Sequence, residues 1–168
     1  MLRFSDIADN EELFVKVGVS AVDWEGAEKN VRAEISSWDF DKIRNAAHDK
    51  WNSYLSTIEI VDDDDADKTI FYTAMYHAAI SPNLFMDVDG RYLGMDRKTH
   101  QGNPDKPVYT VFSLWDTHRA LHPLLTIIDP KLNNDFINSL LLKHEEGGLL
   151  PMWELAGNYT ATMTGYHA

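Results

Sequence analysis

The sequence predicts a mainly α chain: the opening helices of a helical toroid, preceded by a strand or hairpin. Three observations predict it. Alternating apolar residues occur once, near the start. Almost everything periodic after residue 22 has the helical period. The loops between those periods are rich in aromatic and acidic residues, as at the end of a toroid where loops build a site.

The bulk numbers bound the class. At 168 residues the chain is about one domain long. With 44% hydrophobic and 11% aromatic residues it has the material for a core. Fifteen basic against 27 acidic residues give a net charge of −12, which argues against nucleic acid or an anionic membrane as partner. The absence of cysteine removes disulfides, thiolate metal sites and a cysteine nucleophile. No apolar run approaches the roughly 20 residues that span a bilayer, so no membrane span is expected. The opening residues 1–6 do not read as a signal peptide, because no apolar segment follows the charge.

Residues 12–22 alternate, with Leu13, Val15, Val17, Val19 and Ala21 on one face, and predict a strand. Residues 1–7 are a candidate partner across an Asp-Asn turn. A two-stranded ribbon is marginal in water, so the strand face calls for a larger sheet, with its missing strands expected upstream. Residues 24–35 predict a helix capped by Asp23. Residues 39–56 predict a second, with Phe40, Ile43, Ala47, Trp51 and Tyr54 or Leu55 as a packing stripe. Residues 58–61 read as a short strand or an extended lead into the aspartate run 62–65, a solvated loop or a weak metal site. Residues 67–80 predict a third helix, apolar nearly all round and suited to burial, with His77 a core histidine and Pro82 as its stop.

Residues 81–108 form a long connection, which at that length is commonly functional. Its Asp87-Val88-Asp89-Gly90 reads as a turn with Asp89-Gly90 at the tip, because the register of a calcium loop would put Phe85 at the first ligand. Residues 113–127 predict a fourth helix, with Ser113 as cap and Asp116 completing a capping box. His118 and His122 share a face at metal spacing, without a nearby third ligand. Residues 130–146 predict a fifth helix, ended by Gly147-Gly148. A last helix is expected to open near Asn158 and to run to the end of the sequence, as if the chain were cut there.

Two of these junctions carry a tryptophan directly before a carboxylate: Trp115-Asp116 and Trp153-Glu154. An indole face stacks on the C–H surface of a sugar ring, while a carboxylate accepts hydrogen bonds from adjacent hydroxyls. The two pairs therefore point to carbohydrate chemistry, with both facing one hollow. The competing reading makes them simple helix caps.

Longer motifs then become recognisable. Phe71-Tyr72-Thr73-Ala74-Met75-Tyr76-His77, Pro82-Asn83-Leu84-Phe85, Asp87-Val88-Asp89-Gly90-Arg91-Tyr92, the stretch 112–125 with Trp115-Asp116-Thr117, the stretch 147–157 and Gly165-Tyr166-His167 stand in order. On these motifs the chain from residue 69 to 168 resembles the start of the catalytic domain of glycoside hydrolase family 92, calcium-dependent exo-acting α-mannosidases. Residues 15–51 are similar to the family's joint between an N-terminal β-sandwich and its linker helices.

The resemblance implies three parts: the last sandwich strand or strands in 1–22, a helical linker in 23–66, and the incomplete N-terminal part of an (α/α)6 catalytic domain in 67–168. It implies an inverting α-1,2-mannosidase-like hydrolase that removes terminal mannose from glycans. Trp115, Asp116, Trp153 and Glu154 would then bind substrate. No catalytic residue falls in this chain, since the family's acid and base lie in Gly-Asn-Glu-Pro and Asn-Asp-Asp motifs that are absent here. Many relatives carry glutamate where Tyr159 stands. The resemblance also implies calcium in the complete enzyme, with most ligands outside this chain and no metal residue assigned within it. A periplasmic or extracellular location and the remainder of the polypeptide as partner follow as expectations. The chain alone is expected to be inactive. The alternative function is a non-catalytic carbohydrate-binding or helical interaction domain.

Overall fold

The computed structural model describes residue 8 and residues 11–163. The expected strand in residues 1–7 and the motif Gly165-Tyr166-His167 lie outside the described residues.

Among the described residues, six helices and six very short strands make a mainly α arrangement. Helix α1 (Trp24–Glu34) begins where Asp23 accepts a hydrogen bond from the Gly26 amide at 2.7 Å, as the sequence predicts. Helix α2 (Phe40–Leu55) is capped by Asp39, and α3 (Asp65–Ala78) by Asp64, whose carboxylate accepts from the Ala66 amide. The aspartate run is thus a capping segment: Asp62 takes the Asp64 amide, Asp64 the Ala66 amide, and Asp65 opens the helix.

The long connection then folds back on itself. Strand β1 (Asn83–Leu84) pairs antiparallel with β4 (Tyr109–Thr110), while β2 (Arg91–Leu93) and β3 (Thr99–Gln101) form a hairpin between them. Strand β5 (Phe112–Ser113) leads into the single turn α4 (Leu114–Thr117), followed by α5 (Leu121–Ile128) and α6 (Pro130–Gly147). Asp129 caps α6, Pro130 fills its first turn, and Gly148 ends it in the left-handed conformation at φ 75°. Strand β6 (Trp153–Glu154) returns to pair with β5.

The core is small and lies where α5 and α6 meet the two inner strands. Phe112, Leu125 and Phe136 are buried together, with Tyr109, Leu121 and Leu132 packed around them. Phe136 meets Phe112 and Tyr109 edge-on at 5.8 and 4.9 Å, a favoured arrangement of aromatic rings.

Several expectations are corrected. Residues 12–22 form no ladder, because no strand among the described residues lies beside them; Val15, Val17 and Val19 stay exposed. The segment instead runs along α1, where Asn30 donates to the Val19 carbonyl at 2.8 Å and Lys16 to the Ile35 carbonyl at 2.7 Å.

The third helix buries only Met75, and His77 is exposed against Tyr76, since the main helix contact of α3 is with α2. Half of the α2 stripe is open too: Phe40 is exposed, while Trp51 leans on Tyr76 at 4.6 Å.

The single fourth helix is broken at residues 118–120. Pro123 explains the break. In an unbroken helix its ring would clash with the Arg119 carbonyl and leave it without a donor, whereas in the first turn of α5 the missing N–H matters little.

No helix opens between residues 158 and 163. There the chain turns back through Ala156 and Gly157, both at positive φ, and Thr160 bonds the Trp153 carbonyl through its amide and its hydroxyl at 3.1 Å.

Candidate functional site

Strands β5 and β6 bring the two Trp-acid pairs together. Phe112 faces Glu154 and Ser113 faces Trp153 in the antiparallel register, and the Leu114 amide adds a bond to the Met152 carbonyl at 3.1 Å. Trp115 and Asp116 follow directly on the turn α4. Residues some 40 positions apart in the chain thus share one corner.

The two pairs point in different directions. Trp115 is 42% exposed and Asp116 is exposed. Glu154 is fully buried. Its carboxylate accepts from the Thr110 hydroxyl at 3.0 Å and from the Gly157 amide at 2.7 Å, and pairs with the Lys143 ammonium at 3.1 Å. The expectation that both carboxylates face one hollow therefore fails at Glu154. An antiparallel ladder alternates its side chains, and Glu154, directly opposite the buried Phe112, faces the interior. Trp153, its neighbour, is half-buried. Its indole Nε1 is buried without an acceptor among the described residues.

The capping box is not formed. Ser113 makes no side-chain bond to the first-turn amides; its hydroxyl instead donates to the Asp116 carboxylate. Asp116 is therefore an outward acceptor with one serine donor. Such a group can take hydroxyls from a sugar beside the Trp115 face.

Behind the corner, His118 and His122 flank an apolar groove of about 500 Å3 between α5 and α6, with Leu114, Pro123, Phe136 and Leu141 in its walls. His118 Nδ1 lies 3.0–3.1 Å from the Trp115 and Leu114 carbonyls. His122 sits edge-on to Phe136 at 6.1 Å, and burial pushes its pKa below the usual histidine range. No three His, Asp or Glu side chains among the described residues are grouped to hold a metal ion.

A second polar assembly lies away from the corner and docks the hairpin onto α1. Asp87 is buried and accepts from Ser20 at 2.7 Å and from Asn30 at 2.8 Å, while Asn30 takes the Val88 amide at 2.9 Å. Gly26 leaves room for that carboxylate; a Cβ there would collide with it. Arg91 binds Asp23 through two nitrogens at 2.6 and 3.0 Å and Asp89 through Nε at 2.9 Å, and Lys29 reaches Asp89 at 2.8 Å. Lys29 and then Arg91 hold the Asp89 carboxyl down at about 2. The Asp87-Val88-Asp89-Gly90-Arg91 stretch is thus the anchor between helix and hairpin. The expected turn is present, with the Gly90 amide on the Asp87 carbonyl at 2.8 Å.

Sequence reasoning missed Thr110, Ser139 and Lys143. Ser139 joins α6 to β4, accepting the Tyr109 amide at 3.1 Å and donating to the Asp135 carbonyl at 2.9 Å. A usable signal exists for two of them: Ser139 and Lys143 recur from Phe136 at the spacing of the buried face. A lysine on such a face needs a carboxylate partner. The sequence does not say which one.

The chain is similar in sequence and fold to known proteins of one family. The catalytic-domain model of glycosyl hydrolase family 92 matches residues 26–168. The fold superposes on a family GH92 α-mannosidase from Bacteroides thetaiotaomicron with a TM-score of 0.82 and 37% identity, covering 88% of this chain and 20% of that one. The same mannosidase has been solved in complex with mannoimidazole. An inverting GH92 mannosidase from B. thetaiotaomicron VPI-5482 matches with a TM-score of 0.80 at 28% identity, covering 88% of this chain and 20% of that chain. An uncharacterized secreted glycosidase of Arthroderma benhamiae is 30% identical over 102 residues, which is 52% of this chain and 13% of that protein. The chain spans about a fifth of the length of the solved relatives it matches. It belongs to the catalytic-domain family of glycosyl hydrolase family 92.

Proposed function

We propose that this chain supplies part of the mannose subsite of an inverting exo-α-mannosidase that removes terminal, α-1,2-linked mannose from glycans. The observation that carries the reading is the β5–β6 ladder, which brings Ser113 opposite Trp153 at the corner from which the exposed Trp115 and Asp116 follow. Asp116 accepts two neighbouring hydroxyls of the sugar, Trp115 walls one face of the ring, and Trp153 closes the adjacent edge. Glu154 serves this subsite from beneath, by holding the strand that carries Trp153.

In an inverting hydrolysis one carboxylic acid protonates the leaving oxygen and a distant carboxylate activates water on the opposite face. The sequence motifs for both partners are absent from this chain, so the chemistry belongs to the complete catalytic domain, an (α/α)6 toroid of which α3 to α6 are the first helices. In that complete domain calcium would be held mainly by residues of other segments. A periplasmic or extracellular setting fits a glycan substrate, and no helix among the described residues is long and apolar enough to cross a membrane.

Incubating this chain with α-1,2-mannobiose and calcium should release no mannose, while methyl α-mannoside should shift the Trp115 and Ser113 signals in an NMR titration. Turnover by the chain alone would overturn the incomplete-site reading. A titration that leaves those signals unmoved would overturn the subsite.

A further inference from the structure

The backbone is left-handed at one β-branched residue beside the corner: Val111, with φ 66°, separates β4 from β5. For such a residue that conformation is a true outlier and persists only when its surroundings impose it. Both flanks of Val111 are tied to the same residue, one to the Glu154 side chain and the other to its backbone. On one side the Thr110 hydroxyl donates to the Glu154 carboxylate at 3.0 Å and accepts the Ala156 amide at 2.7 Å. On the other, Phe112 and Ser113 pair with Glu154 and Trp153.

A two-residue ladder is too short to fix its own register. The Glu154 carboxylate, in turn, is fully buried and is neutralised by Lys143, itself 2% exposed, which reaches up from α6 with the Phe85 ring 5.7 Å from its ammonium.

We propose that Lys143 and Glu154 are positioning residues: their buried ion pair clamps Val111 in its left-handed turn and so fixes Trp115, Asp116 and Trp153 in one arrangement before sugar arrives. The inference rests on the mannose-subsite reading for its purpose, but not for its geometry.

The test uses the 168-residue chain. Lys143→Met/Glu154→Gln removes both charges at similar volume. Thr110→Val keeps both charges and removes only the hydroxyl link, and is the milder second variant. Amide exchange is read at Leu114 and Thr160, which bond the Met152 and Trp153 carbonyls, with α6 amides as internal control. Methyl α-mannoside affinity is read on the same samples.

The double variant should speed exchange at the two corner amides about tenfold more than in α6, and should weaken mannoside binding by about tenfold. Thr110→Val should move both about threefold. Val111→Gly, which accepts the same φ without a clash, should recover at least half of the lost protection, an effect that a merely stabilising ion pair would not produce. Unchanged exchange in both clamp variants, or no recovery on adding Val111→Gly, overturns the clamp. Exchange that behaves as stated in a chain that never binds mannoside leaves the clamp standing and defeats the subsite reading.

Discussion

Two carboxylate assemblies fasten loops to helices in this molecule, and they do so in different solvents. At the α1 seam, Asp23, Asp89 and Arg91 are a quarter to a third exposed and Lys29 about half, and the ions form a chain of pairs. At the corner, Lys143 and Glu154 are withdrawn from water and pair with each other, with Thr110 and the Gly157 amide also on the carboxylate. Exposed pairs are individually weak and screened by salt, whereas a buried pair depends on each member, since losing one strands the other charge. The seam should therefore loosen gradually. The corner should fail in one step.

The largest effect expected on this basis is at the corner. Lys143→Met leaves Glu154 buried and uncompensated and should destabilise by about 3–5 kcal/mol in urea unfolding. A loss of under about 1 kcal/mol would erase the contrast. In the seam, Asp87→Ala strands Ser20 and Asn30 and should cost about 1–3 kcal/mol, with faster amide exchange confined to α1 and the hairpin.

Acid should separate the two regions further. His122 packs beside the core with a folded pKa below its unfolded value, so its neutral form is favoured. The stability it brings is complete above about pH 6.5 and is lost as pH falls below that. Asp89 and Asp96 are held at about 2, the latter chiefly by His100. Their contribution is complete above the ordinary carboxylate range and goes only as pH falls from about 4 towards 2. Thermal melts between pH 7 and 5 should thus weaken the core while α1 amides stay protected. Loss of α1 protection in that window would reverse the assignment.

The smallest effect is the most informative about function. Asp116 caps nothing, so Asp116→Ala should change stability by less than about 0.5 kcal/mol. The same substitution should abolish the mannoside-induced shift at Trp115. A stability loss of about 1–2 kcal/mol would return Asp116 to the capping reading.

Much of the helical structure was legible because its signals are local. Asp23, Asp39 and Asp129 each stand where a cap is needed, and Pro130 and Gly148 bound α6 at the positions their backbones favour. The misplaced elements failed for reasons that local pattern does not carry. The alternation of residues 12–22 is genuine, but a ladder requires a neighbour. The apolar period of 113–127 hid the effect of Pro123 on an unbroken helix.

The site divides in the same way. Two tryptophan–acid dipeptides and an acidic, cysteine-free composition are properties of the sequence, and they fixed the chemistry to look for. Which carboxylate faces outward was decided by the pairing of Phe112 with Glu154 and Ser113 with Trp153, contacts across some 40 residues. The buried Glu154 is paired with a lysine one helix away, and the valine between its two neighbouring strands is left-handed. Helix caps are written within four residues of chain. The direction of a strand's side chain is set by whatever lies across from it, and that is known only once the chain has folded.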